Sequence, residues 1–390
     1  MLCFSVLSCG RTTPSQPDLP TRIVAAPTTD VFTSSQQLET RELLIDGRAT
    51  DIEWNVAVPT VVLLKGEGER GGDYFLSVRA LWTFNPFNQD SVAFYLCLQW
   101  PDPAPNQLES PLVTRVTWTD PDGNTLVDCS TSDPMHDPAN WYQDTSRHED
   151  QVEVEIYSDA NGGYPADKWR WGVETTDPVT PVNPTEIPTA DPVETQGSTL
   201  HPTGGWSEDF YNTGGGWVHD SGDPMYVPNY VAGSFVPLFV ANKGTRDIRL
   251  NRSKPTSLII WKYVDRPFAS GDAFGPCDSL NPIRVDDASI REKTWHAGDY
   301  IPSFVTQMPS GSQADVVSRG GWDRGKWVLE MRRLLMSRDP DQGAVRGAPH
   351  PDDIELHSGQ TYGIRFRVYN GSKTVSSVSS ILPLYLKPRS

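Results

Sequence analysis

The chain has 390 residues with 50 Asp and Glu against 33 Lys and Arg, a net charge of −17. Like charges repel, and no basic stripe interrupts the acidity, which excludes nucleic acid and anionic membrane surfaces as partners. Thirteen Trp, 34 Pro and 31 Gly argue for many short strands joined by ordered loops rather than for helices, and 390 residues supply ample core.

The apolar run MLCFSVLS, residues 1–8, precedes Cys9-Gly10 and the Pro-rich RTTPSQPDLPTR. It resembles the end of a bacterial lipoprotein signal with Cys9 as the acylated residue. On this reading residues 1–9 are a signal remnant, 10–40 a flexible tether and 41–388 a single β-sandwich domain with an insertion at about 175–230. The protein is then exported, periplasmic or on the outer surface, and touches the membrane only through a lipid anchor. With Cys3 and Cys9 set aside, Cys97, Cys129 and Cys277 permit at most one internal bridge. Cys129 and Cys277 lie in loop-like sequence, whereas Cys97 falls inside a strand.

Further along, Asp46-Gly47 reads as a turn and Trp54 as the start of the first packed segment. Strands are expected at 60–64, 74–82, 91–100, 112–119 and 125–128. The intervening DPDGN, residues 120–124, is oxygen-rich, yet it lacks a downstream Glu and sits between strand-like runs, so it reads as a hairpin turn rather than a calcium loop. Val152, Val154 and Ile156 share one face of the next strand. In ADKWRWG, Trp169 and Trp171 stand side by side at period two, as core, as a sugar platform or as the wall of a flat cofactor. Residues 175–193 read as an extended Pro/Thr/Asp-rich insertion. The Gly- and Trp-rich 204–222 is too irregular for a strand and reads as a functional loop over one sandwich edge. Strands return at 235–241 and at 257–264, the second carrying Lys262 between Trp261 and Tyr263.

Residues 295–335 read as strand, turn, strand, with Arg319-Gly320-Gly321 as the turn. In the last run Trp327, Leu329, Met331, Arg333 and Leu335 share a face, and Val328, Glu330, Arg332 and Leu334 share the other. Arg333 among aliphatics is either a snorkelling cation with its stem packed or a fixed cation facing an anionic group in a cleft.

Taken in order, Trp295, Gly298-Asp299, Ile301-Pro302, Gly311-Ser312, Ala314-Asp315-Val316, Gly325-Lys326-Trp327 and Arg333-Leu335 resemble the signature of the haem-binding domain of ethylbenzene dehydrogenase type. Asp46-Gly47 with Trp54, Trp100 with Asp102-Pro103, Glu149-Asp150 with Val152, and Asp167 with Trp169 and Trp171 extend the resemblance. Its sandwich is similar to that of family-nine carbohydrate-binding modules. The resemblance implies an all-β, antiparallel β-sandwich with long irregular loop insertions. It also implies a non-catalytic electron-transfer or accessory subunit of the gamma-subunit kind, holding one b-type haem. Met225, Lys262, His296 and Met308 are then the axial candidates, Arg333 the cation near the propionates, and Trp169 and Trp171 cofactor walls. Partners of such a subunit are a molybdenum or iron–sulfur oxidoreductase and c-type cytochromes. The chain contains no C-x-x-C-H, so the haem is not covalently attached. Two other readings use the same sandwich: a haem-free carbohydrate- or ligand-binding module with Trp169, Trp171, Trp206 and Trp217 as stacking surfaces, and a scaffold subunit of a larger assembly. No Gly-x-Ser-x-Gly or His-Glu-x-x-His motif competes with these.

Overall fold

A computed structural model describes residues 22–29, 31–32, 40–41, 43, 45–67, 72–84, 92–106, 109–119, 137–176, 205–222, 224, 226–228, 230, 233–235, 294–301, 303–306, 309, 311–336 and 353–389. Fourteen strands form one hydrogen-bonded network. They are β1 (Ile23–Thr29), β2 (Thr60–Gly66), β3 (Tyr74–Phe84), β4 (Ala93–Pro101), β5 (Gln151–Tyr157), β6 (Ala166–Gly172) and β7 (Gly205–Trp206). The rest are β8 (Glu208–Asn212), β9 (Val218–His219), β10 (Val317–Asp323), β11 (Lys326–Leu334), β12 (Thr361–Tyr369), β13 (Ser376–Val378) and β14 (Leu382–Leu386).

The hydrogen-bonded order runs β7-β10-β11-β4-β3-β1-β14-β12-β5-β6-β8-β9, with β2 and β13 bridging β3 to β12. Strands far apart in this order face each other. The Trp171 ring on β6 meets Trp327 on β11 at 5.2 Å and Trp100 on β4 at 6.3 Å, and Phe94 on β4 meets Trp169 on β6 at 6.2 Å. The network is therefore folded into two layers around an aromatic core, an all-β sandwich. Nearly all pairing is antiparallel. The exception is β1, which lies parallel to both β3 and β14 and joins the layers along one side.

Period-two patterning explains the core. Phe94, Leu96, Leu98 and Trp100 alternate inward on β4, as Val152, Val154 and Ile156 do on β5 and Ile364, Phe366 and Val368 on β12. The opposite face of β4 is buried as well, because residues 43–57 fold over it and pack Leu43, Ile45 and Trp54 against Tyr95, Cys97 and Val328. Burial on both faces is why β4 reads as an almost unbroken apolar run. On β5 the outward residues are Glu153 and Glu155. They stand opposite Arg367 and Arg365 on β12, and the pairs make a charged outer layer with Arg365 Nε donating to Glu155 at 2.7 Å.

Three sequence expectations change. Arg319-Gly320-Gly321 is the middle of β10, and the turn into β11 falls at Arg324 and Gly325, with φ of +48° and +85°. The glycines answer to packing instead of turning: a Cβ on Gly320 would overlap the Trp171 indole, and one on Gly47 would lie 2.7 Å from the Gly320 carbonyl carbon. Residues 205–219, expected as an irregular loop, contain β7, β8 and β9. β7 pairs with β10 in one layer and β8 with β6 in the other, so the chain crosses between layers at Ser207, whose Oγ donates to Ser318 at 2.9 Å. Strand pairing here overrides a Gly- and Trp-rich composition. The expected strand 112–119 is two short ones, Leu112–Thr114 and Trp118–Thr119. The expectations for 125–128, 175–193, 235–241 and 257–264, and for Cys9, Cys129 and Cys277, lie almost wholly outside the described residues, with Thr175, Thr176 and Phe235 the described members. Cys97 is a buried free thiol in β4, and burial pushes its pKa up to about 12.

Candidate functional site

Arg333 is the densest convergence of charge. Period two turns it inward beside Met331, and its exposure is 0%. Its Nη1 donates to the Asp167 carboxylate and, at 2.9 Å, to Asp353 Oδ1, while Nη2 donates to the Ile354 carbonyl. The guanidinium lies 5.6 Å from the Trp169 ring centroid. Asp167 shares the inward face of β6 with Trp169 and Trp171, so the same alternation that buries the indoles buries this carboxylate. Burial lifts Asp167 to about 7 against the pull of Arg333, with Asp353 adding to the rise, and the surrounding carboxylates raise the pKa of Arg333 despite its own burial. A guanidinium held by two carboxylates and a carbonyl stays charged at every accessible pH.

Three more acidic or amide groups crowd the same end of the sandwich. Asp209 on β8, Asp220 just past β9 and Asp353 offer carboxylate oxygens within 4.8 Å of one another. Gln313, in the 3₁₀ turn Gly311–Ala314, donates from Nε2 to the backbone carbonyls of Asp209 at 2.9 Å and Asp220 at 3.0 Å. Burial raises the pKa of Asp209 well above its usual value, with Asp220 the next cause, and burial raises that of Asp220 to about 9, with Asp353 next.

Elsewhere the buried carboxylates hold the frame together. Glu330 points away from Arg333 and accepts from Trp54 Nε1 at 2.8 Å, Gly47 N at 2.8 Å and Asp46 N at 3.1 Å, which clamps the 43–57 segment onto the sheet. Burial and the nearby Asp46 lift Glu330 to about 8, opposed by these donors. Asp102 and Asp150 both accept from Trp327 Nε1, at 3.1 and 3.2 Å. Asp150 is raised well above its usual range by burial and by the neighbouring Asp102.

The positions singled out from sequence do not gather into one site. Trp169 and Trp171 are both 0% exposed, so of their three readings the structure shows core: a sealed indole presents no face to a sugar or a flat cofactor. Trp206 is buried against the outer core cluster, and Trp217 is half-buried over the Lys168 ammonium at 5.0 Å. Arg333 does face anions, but they are the protein's own Asp167 and Asp353 rather than groups across a cleft. The His296 side chain is 65% exposed beside Asp299, with Nδ1 3.7 Å from the carboxylate. Met225, Lys262 and Met308 lie outside the described residues. No protein-family model and no curated protein matches this chain.

Trp169, Trp171 and Arg333 are sealed in the core, whereas His296 is exposed. Sequence reasoning missed Asp209, Asp220 and Gln313. The signal was present in WSEDFYN, where carboxylates interleave with aromatics at period two, but an irregular-loop reading hides that alternation.

Proposed function

We propose that this chain is an exported, non-catalytic electron-transfer or accessory subunit in which the sandwich is a rigid frame and a b-type haem takes its axial ligands from among Met225, Lys262 and Met308. One observation carries the reading. Tyr226 and Thr306 are cross-strand partners in a two-stranded ribbon, Tyr226–Pro228 with Phe304–Thr306, and Met225 directly precedes the first partner in sequence while Met308 follows the second by two residues. Thioether sulfur is among the axial ligands that haem iron accepts, and each of the two paired segments is flanked by one. Haem would supply one-electron chemistry there. The frame residues are committed internally, Arg333 to Asp167 and Asp353 and Glu330 to Trp54, which leaves ligand binding to loops. Redox partners of the molybdenum or iron–sulfur oxidoreductase and c-type cytochrome kinds fit this role.

A visible spectrum tests the proposal. Purified or haem-reconstituted protein is expected to show a Soret band and sharp reduced α and β bands, with all haem extractable by acid acetone. Loss of the bands in the Met225→Ala, Met308→Ala double variant would assign the ligands. Colourless protein after reconstitution rejects the haem, and binding of oligosaccharides by that protein would favour the carbohydrate-module reading. Export is tested separately: native protein should partition into detergent and Cys9→Ala should release it.

A further inference from the structure

The three aspartates beside Arg333 carry an inference that stands with or without a haem. We propose that Asp209, Asp220 and Asp353, with the side-chain carbonyl of Gln313, form a binding site for one hard divalent cation, calcium by its chemistry.

The first argument is that the oxygens here lack partners. Asp209 Oδ2, both Asp220 oxygens, Asp353 Oδ2 and Gln313 Oε1 are buried without a hydrogen bond. A buried unsatisfied acceptor is costly, and five at one place require a shared occupant. The second argument is the way Gln313 is held. At 2% exposure it is sealed from solvent, and its Nε2 is clamped on the backbone carbonyls of Asp209 and Asp220. That clamp orients the amide so that its oxygen is left free next to the two carboxylates. An amide fixed by its nitrogen with its oxygen unused is a ligand-presenting arrangement, which an acidic patch alone would not contain.

The charge count agrees. Asp167, Asp209, Asp220 and Asp353 crowd one cation, Arg333, whose guanidinium is already taken by Asp167 and Asp353. Ionised, the four carboxylates and one guanidinium carry a net −3, and a divalent ion reduces it to −1. Protonation is the competing occupant, because a carboxyl O–H would donate to a neighbouring acceptor, and the metal count and thermal shift below distinguish it from a bound ion.

The donor set selects the ion. All candidate ligands are oxygens, with no thiolate or imidazole, so the site favours a hard cation over zinc or copper. The ligands come from three separate elements and a 3₁₀ turn, an irregular cage of the kind calcium accepts at 2.3–2.6 Å, whereas magnesium demands a near-ideal octahedron and retains its waters. An open cavity of ≈ 340 Å³, lined by Asp353, Ile354, Ser158 and Tyr362 among others, borders the site at Asp353. The ion would tie β8, the β9 end and the 353 loop to one point and so fasten the end of the sandwich where the chain crosses between layers.

The test uses the full chain. After exchange into buffered calcium and removal of free ion, metal analysis is expected to count one calcium per chain. Thermal unfolding should move up by several degrees between EDTA and 1 mM CaCl₂, and less with MgCl₂. Terbium should bind at the same place and luminesce on Trp excitation, because Trp169 lies beside Arg333. Asp220→Asn should weaken calcium at least about tenfold through loss of a charged ligand. It should also leave the EDTA form as stable as wild type or more so, because it relieves repulsion. Asp73→Asn, on an exposed carboxylate outside the site, should change nothing. No bound calcium together with no thermal shift in wild type overturns the proposal, as does an equal calcium response in Asp220→Asn; an equal response to magnesium overturns the assignment to calcium. Should Asp220→Asn fail to fold, the wild-type metal count and terbium signal still decide.

Discussion

Replacing Arg333 by Leu isolates the cost of the charge buried at the centre of this fold. Leu keeps the apolar stem volume and removes the guanidinium that Asp167 and Asp353 share and that also donates to the Ile354 carbonyl. Breaking a buried pair by deleting one partner costs about 3–5 kcal/mol, because the remaining carboxylate is left desolvated. Against a domain stability of roughly 5–15 kcal/mol the variant should be marginal. The loss should depend on pH. Asp167 already has a folded-state pKa of about 7, above its usual value of 3.8. A carboxyl raised in the folded state binds its proton more tightly there than in the unfolded chain, so stability falls as pH rises between those values. Without Arg333 the Asp167 carboxyl loses the charge that pulls its folded pKa down, so that pKa rises further. The assay is urea unfolding of wild type, Arg333→Leu and Arg333→Leu/Asp167→Asn at pH 5 and pH 8. The single variant should lose the most at pH 8, and the double variant should recover at least about 1 kcal/mol of it, a coupling typical of groups in direct contact. A loss under about 1 kcal/mol at pH 8, or one equal at both pH values, would refute the claim that Arg333 acts by neutralising Asp167 and Asp353.

Gly320→Ala should destabilise by about 1–3 kcal/mol through overpacking against Trp171, and a neutral result in denaturant unfolding would show that the glycine serves no close approach. Trp54→Phe keeps an aromatic ring while removing the 2.8 Å donor to Glu330, with an expected cost of about 1–3 kcal/mol; Glu330→Gln in that background should lessen the penalty if an unmatched carboxylate is its cause. Glu149 is raised to about 7, first by burial and then by Glu109. Wild-type stability should therefore fall as pH rises from about 4.5 to about 7, and Glu149→Gln should flatten that slope. An unchanged slope in the variant would assign the titration to another carboxyl.

Much of the architecture was legible in the residues. Period two alone placed Trp327, Leu329, Met331 and Arg333 on one inward face of β11 and Trp169 beside Trp171 on β6, because alternation is a local property of an extended backbone. Strands β2, β3, β4 and β5 were readable for the same reason. What fills the space between layers was not. Whether Arg333 met solvent, a ligand or its own carboxylates depended on Asp167 and Asp353, 166 and 20 residues away. Gly320 looked like a turn because the indole it accommodates arrives from β6 in the opposite layer. The carboxylates of Asp209, Asp220 and Asp353 meet only because β7 and β8 pass from one layer to the other at Ser207, so a Gly- and Trp-rich segment whose alternation is easily overlooked supplies strands to both. Local geometry is written in neighbouring residues; the meeting of charges is set by contacts between strands distant in sequence, which only the packed tertiary structure brings together.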